Sequence, residues 1–167
     1  MKHTVLHDVH ARLGAKLIEF GGWHMPVQYG PILDEAKCVR TSAGLFDLGH
    51  MGRIHVRGKD TLRFLDRVCT NFVAKIPTGA IRYSLFCKPD GNPIDDLLVY
   101  READSVYLVV NASNTPVDLA WLREHQRGFE VVLDDQSDRT GMLALQGQRS
   151  TEVLRQLVTD CDLSQIG

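Results

Sequence analysis

The chain of 167 residues has no CxxC pair among its four cysteines, Cys38, Cys69, Cys87 and Cys161. Neither a zinc knuckle nor a disulfide framework is therefore indicated, and a reducing cytoplasm is the expected setting. Cys38 and Cys69 fall in helical patterns and are expected in the core. No stretch reaches the ~18 apolar residues that a membrane span needs, and the opening "MKHTVLHDVH" has neither a hydrophobic signal core nor an Arg-rich presequence. Basic blocks are missing too: the formal charge is −2, with Lys and Arg mixed among Asp and Glu. A phosphate-reading, nucleic-acid-binding role is not expected. GxGxxG, GxxxxGK[ST] and GxSxG are all absent, which argues against a Rossmann site, a P-loop and a serine-hydrolase elbow. No repeat, low-complexity tract or linker interrupts the chain.

What is present is the balance of a globular protein, 44% apolar and 24% charged. A first helix is predicted over 5–13, stopped by Gly14, and "AKLIEFGGWHMPVQYG" reads as a strand breaking into a loop at Gly21, Gly22 and Pro26. A second helix is predicted over 32–43, closed by Gly44. Residues 53–57 alternate in strand fashion, and 60–70 form a helix with Leu62, Leu65, Val68 and Cys69 on one stripe. Strands follow at 80–87, 94–100 and 106–110. Asn114 can cap a helix that carries Pro116 in its first turn and Trp121 on its buried side. A strand over 130–133 leads to "GMLALQGQ", and a last helix over 151–158 aligns Val153, Leu154, Leu157 and Val158. Consecutive antiparallel strands with helices before and after them define an α+β fold, mainly an antiparallel sheet with flanking helices.

The chemistry gathers at "GNPIDDLLVY". Side chains alternate along a strand, so Asp95 and Asp96 face opposite ways. A two-residue turn at Asp90-Gly91 makes paired residues sum to 181, which sets Asp96 against Leu85 and Leu98 against Tyr83. One face then carries Asp96, Leu98, Tyr100, Tyr83 and Leu85, a single carboxylate in an apolar, aromatic wall. Flanking prolines can instead force a longer loop or a bulge. Either both aspartates close the turn, or one is a desolvated acid that meets a flat ligand carrying positive charge or a transferable proton.

Other groups are less pointed. His3, His7 and His10 could share a helical face, but metal ligation needs supporting carboxylates, so no metal site is expected. "GHMG" places His50 and Met51 between glycines, which suits either close approach to a ligand or a tight turn. Asn111, at the end of "LVVNASN", is a turn former, a helix cap, or an amide able to read a heterocycle.

Together, "LGAKLIEFGGWHMPVQYG", "VRTSAGLFDLGHMG", "GNPIDDLLVY", "LVVNASNTPVDLAWL" and "ALQGQ" resemble, in order, segments of the aminomethyltransferase (T-protein) family of the glycine cleavage system. The resemblance implies a folate-binding core. Members are about twice this length, so 1–167 corresponds to the N-terminal part. The remainder of the core and a C-terminal barrel are then missing from the chain. It implies transfer of an aminomethyl group from the lipoylated H-protein carrier to tetrahydrofolate, releasing ammonia and forming 5,10-methylenetetrahydrofolate. It implies Asp96 as the catalytic acid, with Met51, Tyr83, Tyr107, Val109 and Asn111 lining the folate pocket. Two other readings stay open: a non-catalytic folate-binding or scaffold protein of the same fold, and a folate-dependent demethylase with another donor. Gly49 where Ser is usual, and Gln148 where Pro is usual, depart from the pattern.

Overall fold

A computed structural model describes residues 1–159, 162 and 163. The elements in chain order are α1 (His7–Arg12), β1 (Lys16–Phe20), β2 (Trp23–Gln28), α2 (Ile32–Thr41), β3 (Gly44–Asp47), β4 (Gly52–Arg57), α3 (Thr61–Val68), β5 (Ile81–Cys87), β6 (Pro93–Arg101), β7 (Ser105–Val110), α4 (Thr115–His125), β8 (Val132–Asp135), β9 (Leu143–Gln146) and α5 (Ser150–Arg155). They form two compact units, one of residues 1–49 and 141–167, the other of residues 50–140.

In the first unit β1 and β2 are an antiparallel hairpin, where the sequence predicted a strand running into a loop. Gly21 and Gly22 form a two-residue connection with φ of +56° and +85°, the left-handed pair that matches strand twist. Pro26 is accommodated because the register shifts beside it, where Leu17 pairs with Pro26 and Lys16 with Gln28. β3 pairs antiparallel with β9, a ladder between segments about a hundred residues apart that local patterning does not reveal.

Helix α1 is shorter than predicted and begins at His7, so His3 lies outside it and the three histidines do not share a helical face. His10 turns inward instead. Its Nε2 lies 2.9 Å from Asp47 Oδ2 and its Nδ1 2.5 Å from the Tyr29 hydroxyl. Thr4 and the Gly49 amide also donate to Asp47. Burial works to raise the Asp47 pKa, but these bonds outweigh it and hold the carboxyl below its ordinary range. Helix α5 also ends early and has no buried residue; of the apolar stripe predicted for it, Val153 and Leu157 are exposed while Leu154 and Val158 are half-buried. Cys38 is exposed, against expectation, whereas Cys69 packs on the core of the second unit. Cys161 lies outside the described residues.

The second unit is a five-stranded antiparallel sheet in the order β5-β6-β7-β4-β8. One face packs against α3 and α4. Phe86, Leu97, Val99, Val110, Leu108, Ile54 and Val56 from the strands meet Phe64, Leu65 and Val68 of α3 and Leu119 and Leu122 of α4. Phe64 is fully buried and was absent from the predicted stripe. Each such side chain contributes roughly 1.5–3 kcal/mol on burial. Among the described residues no helix is long and apolar enough to cross a membrane.

The passage from β4 into α3 turns on Gly58. Its φ is +131°, and a Cβ there would lie 2.2 Å from the Glu130 carbonyl oxygen. Its own carbonyl accepts from the Thr61 amide and hydroxyl. Gly58→Ala should therefore destabilise the protein by about 1–3 kcal/mol, read as a lower urea midpoint at unchanged slope.

Candidate functional site

The β5–β6 hairpin sets which aspartate faces where. The turn is longer than the two residues predicted: the Lys88 amide bonds the Asn92 carbonyl and the Gly91 amide bonds the Lys88 carbonyl, with Gly91 at φ +87°. That is a three-residue loop ending in a left-handed glycine. Cys87 pairs with Pro93, and the register then shifts between Phe86 and Cys87. Ile94 is the extra residue of this bulge. Beyond it the pairs are Phe86 with Asp95, Leu85 with Asp96 and Tyr83 with Leu98. The facing predicted from sequence is thus recovered, through a longer loop and a bulge that cancel.

β7 extends this face. Leu98 pairs with Val109 and Tyr100 with Tyr107, so Tyr107 and Val109 join Tyr83, Leu85, Asp96, Leu98 and Tyr100. Asn111 stands one step past the last pair, beside Asp96. Its Nδ2 donates to Asp96 Oδ1 at 2.9 Å and to Asp95 Oδ1 at 3.0 Å. Loss of water and the neighbouring Asp96 carboxylate push the Tyr83 hydroxyl above its ordinary pKa. Tyr100 and Tyr107 meet edge to face at 6.4 Å. Asp96, Tyr83, Asn111 and Tyr107 are therefore brought onto one surface.

That surface is open at its β5–β6 side. Asp96 is exposed and Tyr83 is 60% exposed. The predicted wall of Tyr83, Leu85, Leu98 and Tyr100 does surround Asp96 on the sheet, but the carboxylate is exposed rather than desolvated in this chain. Val109, by contrast, is buried at 3% exposure, next to Arg53, its partner on β4. Arg53 is itself 1% exposed. Its guanidinium donates to the carbonyls of Met51, Ser137 and Thr140, and its Nε donates to the Thr140 hydroxyl. The 135–140 loop is thereby fastened over the β4 side, and Met51 is held just before β4, level with Asn111. Arg53 escaped the sequence reading because an alternating strand end gives no sign that a charged residue turns under a loop.

The desolvated acid is Asp95. It faces the helices and is 7% exposed. Burial works to raise its pKa, but hydrogen bonds from the Asn111 and Asn114 side chains and the Asn111 amide outweigh that and hold it below its ordinary value. Asn114 Nδ2 donates at 2.7 Å and the Asn111 amide at 3.2 Å. Asn114 sits at the N-cap position of α4 but makes no capping bond; its side chain serves Asp95 instead. One turn along α4, Asp118 is fully buried and its pKa is pushed up to about 8 by burial, the bond to Asp95 and the charges of Asp95 and Asp96. At neutral pH it is therefore held mostly protonated beside the Asp95 carboxylate. The signal for this group was in the sequence: Asn114 and Asp118 are four apart and share a helical face.

An acid, an amide and a phenol thus lie in fixed register on the antiparallel sheet of an α+β domain, with the buried acids Asp95 and Asp118 behind them. The chain belongs to the GCVT N-terminal domain family, whose model matches residues 6–167. It is 52% identical over 165 residues to an aminomethyltransferase of Geobacillus kaustophilus, covering 98% of this chain and 45% of that protein. It is 49% identical over 167 residues to the aminomethyltransferase of Bacillus velezensis, covering 99% and 45%. Among solved structures it is similar to the glycine cleavage system aminomethyltransferase T from Bartonella henselae, with a TM-score of 0.87 and 35% identity over 93% of this chain and 43% of that one. The chain thus spans a little under half the length of these relatives.

Proposed function

We propose that this chain supplies the folate-facing sheet and the reacting carboxylate of an aminomethyltransferase. The donor is the aminomethyl group on the lipoyl arm of the H-protein. The acceptor is tetrahydrofolate, and the products are ammonia and 5,10-methylenetetrahydrofolate. Portions of the relatives that this chain does not span would complete the pocket. The observation that carries the reading is the register-fixed group of Asp96, Asn111 and Tyr83 on one face.

The chemistry suits these residues. The departing amine and the one-carbon unit pass through cationic species, and a fixed carboxylate stabilises that charge and orients a proton. Asn111 holds Asp96 Oδ1 in place on the exposed face, beside Tyr83. Tyr83, Leu98, Tyr100 and Tyr107 offer a flat, partly aromatic surface for a pteridine ring.

Calorimetric titration with tetrahydrofolate tests the binding half. Asn111→Leu, which removes the amide that steers Asp96, is expected to weaken binding about tenfold, or about 1.4 kcal/mol. Equal affinity in the variant would exclude Asn111 from the site. Folate binding without ammonia release from the aminomethylated carrier, in a protein of the relatives' full length, would favour a non-catalytic folate-binding role. Turnover of a different methylated amine would favour a demethylase.

A further inference from the structure

In the first unit, three imidazoles converge that play no part in the sheet-borne site. The N-terminal segment lies beside β2: the Lys2 amide donates to the Gly22 carbonyl and the His24 amide to the Lys2 carbonyl, both at 2.8 Å. This sets His3 next to His24. The first residue of α1, His7, completes the group. His7 Nε2 and His24 Nδ1 are 2.9 Å apart, the His3 and His7 rings are stacked at 3.7 Å, and one ligand atom from each of the three lies within 4.8 Å of the others. His7 and His24 are half-buried and His3 is exposed.

We propose that His3, His7 and His24 form a binding site for a divalent late first-row metal ion, with Zn²⁺ as the reference ligand. Imidazole nitrogens suit zinc, copper and nickel. Around tetrahedral zinc, bonds of about 2.0–2.1 Å put ligand nitrogens roughly 3.3 Å apart, and the His7–His24 pair is already close to that spacing. His3 must tilt out of its stack to aim its lone pair at the same point, and its exposure leaves it free to do so. Water fills the fourth position.

The tautomers are half prepared. His7 Nδ1 lies 3.1 Å from Asp8 Oδ1, so its proton belongs there and Nε2 presents a lone pair, the carboxylate-backed arrangement common among metal-binding histidines. Without metal, His24 Nδ1–H donates to that lone pair. On binding, His24 moves its proton to Nε2 through solvent and gives Nδ1 to the ion. Asp8 lies on the His7 side, Arg12 acts on Asp8, and Lys2 is drawn over the Trp23 ring at 5.3 Å. The bound ion would clip the N-terminal segment, α1 and β2 together. Signals for two of the three ligands were in the sequence; His24 is supplied by the hairpin that patterning missed.

The test is calorimetric titration of the chelator-treated chain with Zn²⁺, paired with thermal melts and with Co²⁺ absorption. One equivalent should bind, the melting temperature should rise, and Co²⁺ should give visible bands of a low-coordinate nitrogen site. His24→Gln and His7→Gln should each weaken Zn²⁺ at least tenfold and remove the thermal shift, while His125→Gln changes neither. Affinity should fall with acidification, because protons compete with the ion for imidazole nitrogen. Absence of Zn²⁺ binding to the folded parent, or equal binding by a folded His3→Gln/His24→Gln double variant, would overturn the site.

Discussion

Asp96→Asn is expected to lower formation of methylenetetrahydrofolate by about 10²–10⁴-fold while leaving the melting temperature within error of the parent. The measurement needs a polypeptide that joins this chain to the C-terminal portion its relatives carry, assayed for ammonia release from the aminomethylated carrier. The two halves of the prediction have separate grounds. Asparagine keeps an oxygen for the Asn111 amide, which bonds Asp96 Oδ1 at 2.9 Å, and Asp96 is exposed, so no buried contact is lost. What disappears is the negative charge, the one property that can balance a cationic intermediate. Asp95→Asn should behave differently, costing stability first, because Asp95 is buried and holds Asn111 and Asn114. Near-normal transfer by Asp96→Asn would remove Asp96 from the chemistry.

The second large effect is on stability against pH. The folded pKa of Asp118 is raised to about 8 from an ordinary 3.8. Between those values the native protein holds a proton that the unfolded chain has released, so stability falls as pH rises through that window. The slope approaches about 1.4 kcal/mol per pH unit, or roughly 4 kcal/mol between about pH 5 and pH 8 at most. Asp118→Asn puts a group that stays neutral at every pH beside Asp95 and should flatten this decline. It should match the parent at low pH and exceed it near pH 8. The lowered pKa of Asp95 acts at the other end: its contribution is present above the ordinary carboxylate range and is lost as pH falls through its folded value. Urea unfolding across the range checks the sign, and parallel curves for parent and variant would mean that Asp118 is not a protonated partner.

Local patterning carried the second unit well. Alternation put Asp95 and Asp96 on opposite faces; the two-residue turn was wrong, and Asp96 meets Leu85 because the bulge at Ile94 offsets the longer loop, with Asn111 and Tyr107 following from the next strand. Those are nearest-neighbour facts of a hairpin and its adjacent strand. What escaped needs partners distant in sequence. The β3–β9 ladder joins residues 44–47 to 143–146. The burial of Arg53 depends on carbonyls at 137 and 140. Asp95 looked like half of a pair of turn residues until α4 laid Asn114 and Asp118 beside it. Which of the two aspartates loses water stays open along the strands, because that depends on the face the helices take.

The bulge at Ile94 gives the hairpin one residue of slack. Loop length and bulge together decide the parity of everything downstream. Losing Ile94 would straighten the strand and leave Asp96 facing Leu85, whereas ironing out the bulge without that loss would slide β6 by one against β5 and bring Asp95 opposite Leu85. The address of the outward acid is therefore written in a backbone irregularity several ångströms away, and changes in length around the turn are not equivalent: shortening by one can be absorbed, and lengthening by one has nowhere to go.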